Sequence, residues 1–342
     1  MEIKGGQRQS SVTLRPYRAL CVVCALGAED FSEARYAEVE KVLDIVRQNP
    51  DIPITLRCNA HDVYIYQDPG EKDDTPEGAD YNRKRDLDVL QRLDLPPGTT
   101  LPARTLFIRL LNAIKTVSGI CGYDVVTSDA WKGCPLARSG NYERGWAKAT
   151  GSGALDREIR GIISARGKED MARAKRESVE EVYKAKEFFL RPHFLLCSLC
   201  QYGSGVRPPF PDDNLPEFLE IIRNNPDLSV TLVQGAHPMM CAPCPSAIRK
   251  LNACVCGPNG SGGLYNELKD LNVLQKLDLT YGTTMKAKEL FKLVFDRIPT
   301  ITGTCALKGN SPPHSVWWDP CSQLTLPSNY EKGREILMNA FA

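Results

Sequence analysis

Residues 45–61, "IVRQNPDIPITLRCNAH", and residues 221–237, "IIRNNPDLSVTLVQGAH", are two versions of one pattern. In each, an amphipathic stretch closes on Asn-Pro and leads into a short run with the alternation and β-branching of a strand. Working outward, "LRPYRALCVVC" from residue 14 recurs at the same offset as "LRPHFLLCSLC" from residue 190. Cys21 and Cys24 therefore fall on Cys197 and Cys200, and His61 falls on His237. After an insertion the register resumes, with "YNRKRDLDVLQRLDLPPGTT" (81–100) matching "YNELKDLNVLQKLDLTYGTT" (265–284). Cys121 then falls on Cys305, Cys134 of "AWKGC" on Cys321 of "WWDPC", and "NYERG" on "NYEKG". Self-similarity at a fixed offset is the mark of a repeated structural unit. The chain reads as two tandem copies of one small cysteine-rich domain, 13–149 and 188–342, joined by a helical linker over 150–187.

Each copy is expected to hold a cysteine-bearing segment, an amphipathic helix, a short strand, a variable loop and two further helices, the second entered through Gly-Thr-Thr as N-cap. A cysteine-containing tail follows. The fold class is therefore a helix-rich α+β domain with little sheet. The linker is dense in Glu, Lys, Arg and Ala at helical spacing, and its charge runs read as a solvated face.

The chain has 342 residues, 42% hydrophobic and 25% charged, as in a soluble globular protein. Its net charge of +1 provides no global field for nucleic acid or an anionic membrane. "MEIKGGQRQSSVTLRPYRAL" lacks the apolar core of a secretory signal, and no apolar run is long enough to span a bilayer. These features lead to the expectation of a cytoplasmic protein. There the 13 cysteines, an odd count in CxxC and CxC spacings, suit metal better than disulfides. An isolated one such as Cys58 reads instead as a small buried hydrophobe.

The cysteines separate into two sets. The inner one, Cys241, Cys244, Cys254 and Cys256, lies in "MMCAPCPSAIRKLNACVC" and has no counterpart in "YIYQDPGEKDDTPEGAD" of the first copy. The outer one, Cys197, Cys200, Cys305 and Cys321, is matched by Cys21, Cys24, Cys121 and Cys134. Two residues between cysteines close a tight turn, and the proline after Cys244 stops a helix from carrying that sulfur away. Four thiolates suit a four-iron cluster or structural zinc, and cysteines crowded near a proline resemble ferredoxin-like ligation more than a zinc ribbon. In an extended CxC the two sulfurs sit about two strand rises apart, roughly 7 Å, so Cys254 and Cys256 are not both expected on one ion. The outer CxxC segments also fit one buried face of a helix. Thioredoxin-like chemistry would need the CxxC at a helix N-terminus after a strand, in a βαβ setting that "VTLVQGAHPMMCAPCPSAIRK" does not provide.

His237 has a twin in His61, where no inner cysteines exist, so a fold role such as a loop hydrogen bond is expected of it. His193 faces Tyr17 of the first copy and stands four residues before Cys197, a candidate ligand or proton donor in the second copy alone. His314, in a Pro-rich loop between Cys305 and Cys321, could serve as a late ligand but reads as exposed. GxSxG, HExxH and Walker patterns are absent, and "GPNGSGG" reads as a flexible loop.

"RPHFLLC", "GAHPMMCAPCP", a cysteine about ten residues on, and "TGTCALKGNSPPHSVWWDPC" together resemble a family of small iron–sulfur-binding domains of unknown function. Its pattern runs roughly HHxLC, DDICAPCP, C and ICAxCxWxxxGxC. The resemblance spans most of 188–325 and more faintly 13–147. It implies Cys197, Cys241, Cys244, Cys254 or Cys256, Cys305 and Cys321 as matching cysteines, with His193 at the second histidine and Pro192 at the first. The second cysteine of the ICAxC pair is missing here, and Cys200 is not a family position. The first copy, without the CAPCP loop, is expected to be retained for its fold or for an interface.

The resulting expectation is an iron–sulfur protein, with a 4Fe-4S cluster foremost and zinc as the alternative, its ligands being Cys241, Cys244, one of Cys254 and Cys256, and one of Cys197 and Cys305. It would serve electron transfer or redox or maturation support to a protein partner, with no nucleic acid and no membrane involved. The other expectations are a zinc-stabilised interaction module and an enzyme using a cluster as Lewis acid, with His193 or His237 near substrate.

Overall fold

A computed structural model describes residues 11–29, 37–59, 74–151, 158–248, 252–255, 262–305 and 326–341, with the single residues 68, 70 and 155. Cys256, Cys321, His61 and His314 lie outside the described residues. Helices dominate over short sheets, a helix-rich α+β arrangement, and the chain divides into two units, Met1–Ala165 and Arg166–Ala342.

In the first unit β1 (Val12–Leu14) runs parallel to β2 (Pro53–Leu56), and β2 pairs antiparallel with β3 (Thr100–Pro102). The second unit has β4 (Glu187–Leu190), β5 (Ser229–Leu232), a hairpin of β6 (Ala247–Ile248) and β7 (Ala253–Cys254), and β8 (Thr284–Lys286). There β4, β5 and β8 adopt the same order and directions as β1, β2 and β3. The registers also correspond: Thr55 faces Thr100 with their hydroxyls 2.8 Å apart, and Thr231 faces Thr284 at 2.6 Å. Thr100 and Thr284 were expected at a helix N-cap. They are strand residues because a β-branched side chain gains more from its cross-strand twin, and Pro102 and Lys286 take the N-cap positions instead.

The helices of the first unit are α1 (Pro16–Gly27), α2 (Ala37–Gln48), α3 (Ala79–Leu93), α4 (Ala103–Ala113) and α5 (Asn141–Thr150). Those of the second are α6 (Lys168–Lys184), α7 (Phe194–Gly203), α8 (Leu215–Asn224), α9 (Pro238–Cys241), α10 (Gly262–Leu277), α11 (Ala287–Arg297) and α12 (Pro327–Phe341). Helix α2 buries Val39, Leu43 and Val46, one stripe at helical spacing, and carries Glu38 and Glu40 at its positive end and Arg47 at its negative end. Asn49-Pro50 then ends it and releases the chain into β2, whose Ile54 and Leu56 are buried.

Helix α1 packs on α5 at backbone distance. A Cβ on Gly145 would lie 1.9 Å from the Val23 carbonyl oxygen, and in the second unit one on Gly333 of α12 would lie 2.0 Å from that of Leu199 on α7. Three residues before each glycine a buried tyrosine anchors the same helix: Tyr142 donates to the Ile114 carbonyl (2.7 Å) and Tyr330 to that of Ile298 (2.6 Å). The repeated "NYExG" is thus a packing device, with one residue as anchor and one as gap.

The segment 150–187 is divided between the units. Ile159, Ile162 and Ile163 belong to the first core, while α6 packs on α8 and α9 and buries Ala174, Ser178 and Val182. Its Lys175 reaches the Asp213 carbonyl, Asn214 Oδ1 and Glu217 Oε1, each at 2.7 Å. One stripe of this segment is therefore core, and only the opposite face of α6 is the solvated surface that its charge runs suggested.

Candidate metal centre

In the first unit Cys21 and Cys24 stand three apart on α1 and so share a face. Cys121 and Cys134 come from the loops between α4 and α5. Gly119, two residues before Cys121, has φ +78°, and Gly303 before Cys305 has φ +75°, a left-handed conformation that glycine adopts without strain. Tyr81 of α3 ties the late cysteines together: its hydroxyl donates to the Cys121 carbonyl (2.6 Å) and accepts from the Cys134 N–H (3.0 Å). Cys134 N–H also lies 2.8 Å from the Cys121 carbonyl.

All four of these cysteines line one cavity of about 460 Å³. Arg85 lines it as well, one turn along α3 from Tyr81. Its guanidinium lies 3.3 Å from the centroid of the Tyr17 ring and is 2% exposed. Its outer nitrogen donates to Thr75 Oγ1 (3.3 Å), and its buried Nε has no hydrogen-bond partner among the described residues. The neighbouring Asp86 turns the other way, accepting from Arg15 Nε (2.8 Å) and from the Tyr17 N–H (3.0 Å), which fixes the start of α1 to α3. Tyr81, Arg85 and Asp86 therefore make α3 the helix that positions the site.

Burial pushes the Cys21 thiol up to about 11, with Arg85 pulling against it, and raises Cys24 and Cys121 as well. Raised in this way, these thiols are protonated at neutral pH. Becoming ligands requires them to lose their protons to a cation.

The second unit keeps this frame. Arg191 pairs with buried Asp270 at 2.6 Å, the His193 N–H donates to Asp270 (2.9 Å), Tyr265 donates to the Cys305 carbonyl, and Lys269 takes the place of Arg85 at 4.7 Å from the Tyr265 ring. Cys197 and Cys200 lie on α7 as Cys21 and Cys24 lie on α1. Cys200 and Cys305 both act on Tyr330, as Cys24 and Cys121 act on Tyr142. His193 is buried, and its Nδ1 stands 2.6 Å from Asp270. Burial lowers its pKa to about 4 despite that carboxylate, so it is a neutral imidazole with Nδ1 as donor. Only Nε2 is left for a ligand, the arrangement in which metal-binding histidines are commonly held.

The inner loop follows α9. His237 caps this helix by accepting from the Met239 N–H (3.3 Å), and its ring lies 5.0 Å from that of Phe189. Cys241 ends α9, Cys244 closes a turn onto the Cys241 carbonyl (3.0 Å), and Arg166 clamps the carbonyls of Ala242 (2.6 Å) and Cys244 (2.9 Å). The CxxC thus sits at a helix C-terminus and leads into the β6–β7 hairpin, which carries Cys254. Cys241 and Cys254 both act on Arg191. Among the described residues no three Cys, His, Asp or Glu side chains form a group compact enough for a single metal ion, and no described cysteine is in a disulfide. Cys58 is wholly buried in the first core.

No family model, curated protein or solved structure matches this chain. No helix among the described residues is long and apolar enough to cross a membrane.

The cysteine positions were legible as a list, but Arg85 was not singled out. Its signal was a cation in the apolar stripe of α3, four residues from Tyr81 and four from Val89, with Lys269 in the same place in the repeat.

Proposed function

We propose that the protein is a cytoplasmic iron–sulfur protein serving electron transfer or redox support to a partner protein. The observation that carries this reading is the convergence of Cys21, Cys24, Cys121 and Cys134 on one cavity in the first unit. Four thiols around one cavity match in number the thiolates that a four-iron core takes. The second unit is read as holding a further centre through Cys241, Cys244, one of Cys254 and Cys256, and one of Cys197 and Cys305.

An iron–sulfur core would supply one-electron chemistry. The chain's own residues supply thiolates, a tyrosine that fixes the late cysteine loop, and a charged wall. Thirteen cysteines, with none of the described ones bridged, fit a reducing compartment.

The test is the iron, sulfide and zinc content of protein purified without oxygen, with its visible spectrum. Iron and sulfide in equal amounts, with broad absorption that bleaches on reduction, are the expected result. Zinc without sulfide would overturn the reading in favour of a structural module.

A further inference from the structure

Arg85 is a buried cation that forms no ion pair among the described residues. Its guanidinium lies 3.3 Å from the Tyr17 ring centroid and 5.0 Å from that of Tyr81, it shares the cavity wall with Cys21 and Cys121, and its Nε has no hydrogen-bond partner among the described residues. The carboxylates nearby include Glu77, which also lines the cavity, and three that are engaged elsewhere. Asp86 is bound to Arg15 and the Tyr17 N–H, Asp74 lies 3.1 Å from Arg15, and Glu38 pairs with Arg18 at the rim. Tyr17 stacking offsets part of the cost of burying this charge. An anion forming beside Arg85 would gain from this charge.

We propose that Arg85 is the built-in counter-ion of an anionic, four-thiolate centre in the first unit, held by Cys21, Cys24, Cys121 and Cys134. The proposal rests on the thiolate-centre reading above and goes beyond it in two ways. It makes the first unit a metal-binding unit in its own right, independent of the CAPCP loop that it lacks. It also makes one non-ligand side chain the determinant of that centre's potential. A core held by four thiolates is net negative and gains a further negative charge on accepting an electron. A fixed positive charge in the wall favours the reduced state more than the oxidised one, and so raises the potential. Lys269 provides a cation at the same place in the second unit.

The experiment uses the full-length chain reconstituted anaerobically with ferrous iron and sulfide. Cys24→Ser identifies the first-unit share, as the iron, sulfide and visible absorption lost relative to wild type. Arg85→Gln, Arg85→Met and Arg85→Lys are then titrated with dithionite as the one-electron reductant. The expected result is that both neutral variants keep their metal but move the first-unit wave, and only that wave, to lower potential. Arg85→Lys should stay near wild type. Thermal unfolding of the metal-free chains is the second readout: Arg85→Met, which removes a buried charge, should be no less stable than wild type, whereas a merely structural arginine would leave a destabilised protein. An unmoved wave in Arg85→Gln and Arg85→Met, or a shift as large in Arg85→Lys, overturns the role of Arg85 and leaves the centre standing. If Cys24→Ser loses no metal while wild type carries iron and sulfide, the first-unit site is overturned and the second-unit reading survives. Wild type that takes up neither iron nor sulfide overturns both.

Discussion

Single side chains carry the frame of each unit. Arg15 and Asp86 are both fully buried and bonded to one another, as are Arg191 and Asp270, so removing the carboxylate strands a guanidinium in the core. Asp86→Ala should therefore destabilise the protein by about 3–5 kcal/mol, read by denaturant unfolding. A loss below about 1 kcal/mol would mean that Asp74 or water takes over. Asp213 titrates unusually. Burial raises its carboxyl pKa to about 6, although Gln201 Nε2 (2.8 Å) and the Leu215 N–H (2.9 Å) donate to it. The folded chain thus binds this proton more tightly than the unfolded one. The stability it contributes is present below the ordinary carboxylate range and is lost as pH rises through about 6. Asp213→Asn should remove that loss, raising stability at pH 7–8 by on the order of 2 kcal/mol with little effect near pH 4. Urea melts across this range check it, and a pH-independent difference would contradict it.

At the scale of elements, the pairs α1 with α5 and α7 with α12 decide whether the cysteine helix sits close enough to the late cysteines. Both contacts depend on a glycine with no room for a Cβ. Gly145→Ala or Gly333→Ala should cost about 3 kcal/mol or more, because backbone rather than a movable side chain blocks the added methyl. Thermal unfolding would register it, and unchanged midpoints would show that the helices can slide apart at little cost. Helix α3 is the second decisive element, since consecutive turns of it hold the Cys121 loop, face the cavity and grip the start of α1. Its "YNxxxD" skeleton stood out in the repeat as text. Why those letters persist became readable only when Tyr81 was seen under Cys121 and Asp86 under Arg15.

For the whole molecule, two units with matching strand registers each bury a cation next to the tyrosine that holds the late cysteine loop. The thiols of Cys21, Cys24 and Cys121 are protonated at neutral pH, because burial holds them above their ordinary range. Metal held through these thiols would therefore release protons on binding, and its affinity would fall as pH is lowered. Calorimetric titration of ferrous iron or zinc in two buffers of different ionisation enthalpy should show heats that differ between them. Identical heats would mean that the ligands were already ionised or are not thiols.

By itself the sequence determined the helix-rich α+β class, the central strands β2 and β5 and the fold role of His237. Each of these is written in local pattern: period, spacing and capping chemistry. The tertiary structure decided the rest. The outer strands are three or four residues long and gain their identity only from a partner far away in the chain, so Thr100 could not be told from a cap. Cys21 and Cys121 are a hundred residues apart, and their meeting depends on Gly145 admitting α1 and on Tyr81 holding the loop. Whether a cation such as Arg85 is solvated or buried depends on what the other helices place around it, because the charge on a side chain is local but its neutralisation is not.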